Sequence, residues 1–515
     1  MKGTSFQCPV RAHLILLAIL CFAAVLPDSA QAAGFRMMGY DVSAMGSGNS
    51  QVAYGDGFGV LYTNPALMSR FQEKMGASFI FYRPELQIEL GKRPANADIP
   101  ISIYDARVGK LEDGLDRAVP TLETQHYRRD TEVDGFNPYL GLGMTQAFGI
   151  EGFRFGTLAL IPIGDVANTT TRYPDEREQY YSNQVHFARF GEWDNMISGF
   201  LGVSYSPVKY VSLGVSVQVA LAMLANINIY IPEATVQDYM LTTSKASIEW
   251  AFRPIVGLQV EPIDYLALGL VFRAEKYIKI DGRGSINMWN YHQSFEDSSI
   301  DVTVPNRPAS NLSWAVDYEP MELASSVGFN YEGFRMQAVL TWERWSQFLD
   351  TSAQHPEEAA EFRALNRNDA VVNGEDYKWS DTLSVNVGAE YKYLTWATVK
   401  AGWAYSPSPV PMQKGRTNYA DNDVMMVAVG HIFDFEILKH QFSAELGFQF
   451  WYMFDRVVYK DPGQIRDEFA DGSVSLFGGE EMKESYGLQT NNPGFPSYKQ
   501  GGWMVVSGGS LNYHF

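Results

Sequence analysis

The chain has 515 residues, a net charge of −19, and 46% apolar and 14% aromatic residues. That acidity argues against nucleic acid as a partner, because phosphate binding needs a basic patch. An apolar share this high with only 19% charged residues argues against disorder, and 45 Gly, 29 Tyr, 31 Phe and 11 Trp point to an aromatic-rich β structure.

In chain order, the first segment reads as an address. Lys2 and Arg11 form a basic start, Leu14 to Leu26 is an uninterrupted apolar stretch of 13 residues, and Ala30-Gln31-Ala32 fits a cleavage site. A signal peptide is therefore expected over 1–32, with Ala33-Gly34-Phe35 as the new start. Both cysteines, Cys8 and Cys21, lie upstream, which leaves no disulfide or cysteine metal site. A lipid anchor on Cys21 is disfavoured by the bulky Leu20 before it. Residues 33–75 are Gly-rich, lack alternation and precede the first strand, so they could form a plug.

From residue 76 onward the pattern has period two. Leu383, Val385, Val387, Ala389, Tyr391 and Tyr393 alternate with Ser384, Asn386, Gly388, Glu390 and Lys392. Phe442, Ala444, Leu446, Phe448, Phe450 and Tyr452 do the same, as do 197–205, 211–219, 323–331, 335–343 and 397–405. Each such segment is a strand with one apolar and one polar-or-small face. No downstream run is long and apolar enough for a transmembrane helix. A soluble barrel or sandwich would turn the apolar face inward, and a transmembrane barrel outward. The Gly, Ser and Gln on the polar face, the aromatics near segment ends and the terminal Phe515 favour the membrane.

Tight turns are expected at Ser206–Lys209, Glu261–Asp264 and Tyr331–Gly333. Long polar stretches are expected at 165–195, 230–247, 288–310, 350–379 and 455–500. Short turns on one side and long loops on the other are the habit of outer-membrane barrels. The expected fold is all-β: a transmembrane antiparallel β-barrel of about fourteen strands over 76–515, with an N-terminal hatch at 33–75.

Several motifs carry a resemblance. Ala33-Gly34-Phe35 and then Gly55-Asp56-Gly57-Phe58-Gly59-Val60-Leu61-Tyr62-Thr63-Asn64-Pro65-Ala66-Leu67-Met68 resemble the hatch of the long-chain fatty-acid and hydrocarbon transporters of the bacterial outer membrane. Trp342 to Phe348 looks like that family's W-x-x-W-S-x-F strand. Ser406-Pro407-Ser408-Pro409-Val410-Pro411 with Asp421-Asn422-Asp423 looks like its S-P-V-P…D-x-D segment. Phe272 to Lys276 with Ile280-Asp281-Gly282 matches a family strand and turn, and Leu511 to Phe515 its ending. The resemblance implies a fourteen-stranded barrel with an internal hatch, no catalysis and no cofactor. It implies a hydrophobic small-molecule ligand and outer-membrane lipid as partners, and a monomer. It also implies capture at outer loops, an interior pocket, hatch movement and exit through the wall, with Ala33, Gly34, Phe35, Asn64, Pro65 and Ala66 in ligand binding or gating.

The lumen residues speak separately. Segment 219–225 is apolar on both faces, so if Val215, Val217 and Val219 face lipid, Ala220, Ala222 and Leu224 face inward. Val424, Met426, Ala428, Ile432 and Trp451 likewise read as inward and apolar. Such an interior either packs against a plug or lines an apolar ligand site, and Ala222 and Leu224 become candidate pocket residues. Asp421-Asn422-Asp423 and Asp175, Glu176 and Glu178 read as solvated acidic loops rather than Ca²⁺ sites, since the EF-hand spacing is absent, and no metal site is expected. No G-x-S-x-G element accompanies the histidines, which disfavours a hydrolase. A non-specific porin or an adhesive or structural barrel remains the alternative. Arg273 or Lys400 could project inward as a partner for a ligand carboxylate, while the stretch after Phe348 is acidic at Glu357, Glu358 and Glu361, with Arg363 and Arg367 following.

Overall fold

A computed structural model describes residues 38–91, 131–134, 136–163, 186–187, 189, 197–230, 241–286, 307–348, 378–415, 418–462 and 494–515. The expected signal segment 1–32, Ala33, Gly34 and Phe35 lie outside them, as do Asp175, Glu176, Glu178, the 357–367 charges and much of the long connections.

Fourteen strands follow in chain order. They are β1 (Lys74–Leu90), β2 (Asn137–Gln146), β3 (Phe153–Pro162), β4 (Ile197–Val208), β5 (Val211–Tyr230), β6 (Leu241–Ile263), β7 (Leu266–Arg273), β8 (Glu322–Tyr331), β9 (Phe334–Glu343), β10 (Thr382–Leu394), β11 (Ala397–Ser406), β12 (Val424–Ile437), β13 (His440–Tyr459) and β14 (Ser497–His514). Each pairs with its predecessor, and β14 pairs antiparallel with β1 from Lys74↔His514 to Leu90↔Tyr498, so the sheet closes and leaves no edge. The short strand Thr131–Asp134 extends the pairing along β1 beyond β2, and a separate hairpin of 276–286 with 307–319 stands on β7 and β8.

The alternation decides which face looks out. Leu213 and Val215 are each 51% exposed, whereas Ser212, Gly214, Ser216 and Gln218 between and beyond them are buried. The same phase runs through β10, β12 and β13, with Leu383, Val427 and Phe448 outside and Ser384, Met426 and Gln449 inside. A water-soluble barrel would bury the apolar face. Here that face is the exposed one, as a lipid-facing wall requires.

Two-residue turns at 209–210, 264–265, 332–333, 395–396 and 438–439 lie at one end, together with the turn at 147–152. Glu332 and Gly333 have φ of +46° and +82°, the left-handed pair that a tight hairpin needs. All the longer connections leave the other end. The expected turn at Glu261–Asp264 falls at Asp264–Tyr265, because β6 carries its pairing through Ile263. Ile280 to Gly282 is part of the strand 276–286 rather than a turn, and the expected Trp342–Phe348 strand stops at Glu343, where Trp345–Gln347 form a 3-10 turn.

Candidate functional site: the lumen and its inner segment

Residues 38–72 form no strand and are mostly buried. The wall atoms they touch belong to inward-facing positions, so this segment lies inside the barrel. Its own chemistry explains its shape. Asp41 caps the short helix α1 (Val42–Gly46), accepting from Ala44 N at 2.6 Å, and its other oxygen accepts from Gly59 N at 2.6 Å, which ties two parts of the segment together. Helix α2 (Val60–Thr63) ends at Asn64, which then caps a 3-10 helix over Pro65–Arg70 with Pro65 at its first position.

Asn64 does more than turn the chain. Its Nδ2 donates to Val52 O at 2.7 Å and to Leu258 O on β6 at 3.2 Å, while its Oδ1 accepts from Ala66 N at 3.1 Å. The Asn64-Pro65-Ala66 turn sits where the wall has no side chains. A Cβ on Gly257 would stand 2.1 Å from Asn64 Oδ1, and one on Gly214 would stand 2.3 Å from Ala66 N. Elsewhere Gly402 meets Gly48, Gly430 meets Gly46 and Gly269 meets Val52, so the segment is seated against β5, β6, β7, β11 and β12 by close approach to bare backbone.

Polar wall side chains then hold it. Gln337 Oε1 accepts from the N–H groups of Val52, Ala53 and Tyr54 at 3.3, 3.0 and 3.1 Å, and its Nε2 donates to Tyr54 O at 2.9 Å. Arg273 donates to the carbonyls of Tyr62 and Thr63, both at 2.9 Å, immediately before Asn64. Its third contact is Glu322 at 2.7 Å, which also takes Arg253 at 3.0 Å. The Tyr62 ring lies 4.4 Å from the Arg273 guanidinium. Arg253 and Lys276 further share Glu319.

A second cluster lies toward the short-turn end. Lys400 Nζ contacts Ser43 Oγ at 2.7 Å, Asp56 at 3.0 Å and Glu390 at 3.2 Å, and Asp56 also accepts from Ser43. Burial pushes the Asp56 carboxyl up, but Lys400, Lys74 and the Ser43 hydroxyl outweigh it and hold the group below the ordinary carboxylate range. Asp41 moves the other way: burial raises it against the pull of its two backbone N–H donors. Arg273 and Lys400 thus do project inward, as the sequence allowed, but both are already paired.

Around the inner segment and toward the long connections, the lumen wall differs from side to side. On one arc, β12 to β14 followed by β1 to β4, the buried inward residues include Met426, Trp451, Met504, Tyr82, Leu160 and Phe200. On the other arc, β5 to β10, they include Gln218, Arg253, Arg273, Glu322, Thr341 and Glu343. The expected inward positions Val424, Met426, Ala428, Ile432 and Trp451 all belong to the apolar arc. Ala222 and Leu224 lie in β5, two and four residues beyond the buried Ala220, and their side chains are outside the described residues.

Near the outer rim, Asp421-Asn422-Asp423 is not the solvated loop that its charge suggested. Asp421 is fully buried and pairs with Arg189 at 2.9 Å, Asn422 Nδ2 donates to Gln500 O at 2.9 Å, and Asp423 accepts from Tyr405 Oη at 2.6 Å. Burial raises the Asp421 carboxyl despite the arginine. The residues missed the reading because their partners, Arg189 and Gln500, are far away in sequence. Trp345 and Val410, from two of the quoted motifs, meet Trp379 in one aromatic cluster. Among the described residues, no three His, Cys, Asp or Glu side chains assemble as a metal-ligand set.

Arg253, Gln337 and the wall glycines were not singled out from sequence. Their only signal was position: each sits on the inward phase of an alternating strand.

Comparison with known proteins follows the same lines. The family model described as outer membrane protein transport protein (OMPP1/FadL/TodX) matches residues 195–485. No curated protein matches significantly. Among solved structures, a FadL homologue of Pseudomonas aeruginosa is similar at TM-score 0.54 and 15% identity, covering 92% of this chain and 98% of that one. The Pseudomonas putida toluene transporter TodX is similar at TM-score 0.47 and 12% identity, covering 93% of this chain and 99% of that one. The first of these shows the barrel fold.

Proposed function

We propose a route through this protein on the premise that the chain belongs to the outer-membrane transport protein family of the OMPP1, FadL and TodX type, whose model spans more than half of it. It is an outer-membrane transport barrel for hydrophobic compounds, and its chemistry is conduction rather than catalysis. The observation that carries the hydrophobic reading is the apolar arc of the lumen wall, from Met426 through Trp451, Met504 and Tyr82 to Leu160 and Phe200.

These side chains are buried in one apolar core with Met38, Tyr40, Met45 and Leu61 of the inner segment, so a ligand taking this path exchanges packing against the segment for packing against its own tail. Each buried methylene of that tail gains roughly 0.8 kcal/mol, so a chain of about fifteen methylenes offers about 12 kcal/mol before the cost of displacing the segment and of ordering. Micromolar binding survives those costs. In our reading residues 33–75 are the hatch, the ligand descends along the apolar arc, and the Asn64-Pro65-Ala66 turn gates the passage. Asn64 supports that role by linking Val52 within the segment to Leu258 in the wall. Ala33, Gly34 and Phe35 are assigned to the gate by the motif they share with the family. Ala222 and Leu224 are assigned to the pocket by continuing the alternation from Ala220. We keep the monomer that the family resemblance implies as part of this reading.

The test is uptake of radiolabelled hexadecane by cells carrying Asn64→Ala. Lowered uptake at unchanged outer-membrane abundance supports the gate. Normal uptake at normal abundance removes Asn64 from it.

A further inference from the structure

Asn137 opens β2 on the inward face of the apolar arc and is 2% exposed. Its partner across the ladder is Tyr82 of β1, itself inward and fully buried. The described ladder resumes at Glu85↔Asp134. Pro84 has no N–H to offer, and neither has Pro138, which stands across from Phe81. Tyr139, Leu86 and Ile88 share the inward face around this point and belong to the same apolar core.

Among the described residues, the carboxamide of Asn137 has no hydrogen-bond partner at either Nδ2 or Oδ1. Gln51, Gln218, Gln259 and Gln500 also leave an oxygen unpaired, but each uses its nitrogen, whereas Asn137 uses neither atom. Asn64 and Gln337 use their amides on the backbone of the inner segment, and Asn422 on the carbonyls of Phe454 and Gln500. A buried amide left unpaired is unfavourable, and an apolar residue of similar size would serve packing better.

We propose that Asn137 reads the polar end of a transported amphipath, and that the class it fits best is a long-chain primary alcohol. A hydroxyl offers one donor and an acceptor, so it can donate to Oδ1 while accepting from Nδ2. The amide is neutral, so it complements a neutral head, and the tail lies along Leu86, Ile88 and the rest of the apolar arc. This inference rests on the transport reading above and narrows its substrate class.

The experiment measures uptake of hexadecan-1-ol and hexadecane, separately, by cells carrying the natural chain, Asn137→Leu or Asn137→Ser. Outer-membrane abundance is matched on unboiled gels. Loss of one hydrogen-bonded contact predicts that Asn137→Leu lowers alcohol uptake about five- to tenfold and leaves the alkane within about twofold. Asn137→Ser, which keeps a donor and an acceptor, recovers part of the alcohol uptake and guards against a packing artefact of leucine. An unchanged ratio of alcohol to alkane in Asn137→Leu overturns the proposal, as does an equal fall of both. If the natural chain takes up neither compound, the transport reading fails instead, and the two failures are thereby distinct.

Discussion

The two arcs of the lumen solve different problems with the same alternating strands. On β5 to β10 the inward positions carry charge and amide groups, and nearly every one of those described above is spent on holding something: Gln337 on residues 52–54, Arg273 on the carbonyls before Asn64, Glu322 on two arginines. On β12 to β14 and β1 to β4 the inward side chains toward the long connections are mostly apolar, with few hydrogen bonds such as Trp451 to Gln449 and Gln500 to Asp421 and Asn422. The lesson is that polarity of a lumen wall is no measure of water in it. The polar arc is a fixture for the inner segment, and under our proposal the apolar arc is the ligand's path.

The strongest way to break the polar arc is to remove its shared carboxylate. Glu322→Ala leaves Arg253 and Arg273 buried with one counter-charge fewer, and losing one partner of a buried pair costs about 3–5 kcal/mol. The expected result is a clear drop in the temperature at which the folded band is lost on unboiled gels, together with protease access to the inner segment. An unchanged transition would mean that Glu319 alone suffices.

Seating by bare backbone is tested next. In Gly257→Ala the new Cβ falls 2.1 Å from Asn64 Oδ1, so the segment or the wall must shift, at about 1–3 kcal/mol. Limited proteolysis should cut residues 38–72 faster while barrel abundance stays normal. Gln337→Ala leaves the N–H groups of Val52, Ala53 and half-buried Tyr54 without their acceptor and should loosen the segment by a similar or smaller amount, about 1–3 kcal/mol; equal protease resistance would make that cradle dispensable.

The smallest effect concerns pH. Asp56 is held below its ordinary range by Lys400, Lys74 and Ser43. A lowered folded-state value means that the contact's stabilisation is complete above the unfolded carboxylate value of about 3.9 and fades only as pH falls below it. Protease protection of the inner segment should therefore stay level at neutral pH and decline in acid, and Asp56→Asn should flatten that decline.

Much of this was legible in the residues. Period two gave the strands and their outward apolar face, and alternation alone put Met426 and Trp451 inside. Asn64 announced a turn through its proline. What it binds was not readable, because Leu258 lies on a strand nearly two hundred residues away and pairs through its carbonyl. Gly257 and Gly214 look like weak strand positions until the opposing backbone is seen against them. Charge misled at Asp421, where the sequence shows three polar residues in a row but not the Arg189 that crosses to meet them.

The most direct measurement compares the arcs by uptake. Met426→Arg places a charge on the apolar arc, and Thr341→Arg places the same charge on the polar one. At matched outer-membrane abundance, hexadecane uptake should fall about tenfold or more in Met426→Arg, since an ionised group there must be desolvated beside the ligand. In Thr341→Arg it should stay within about twofold of the natural chain. Equal losses in both variants, or normal uptake in Met426→Arg, would contradict a ligand path along the apolar arc.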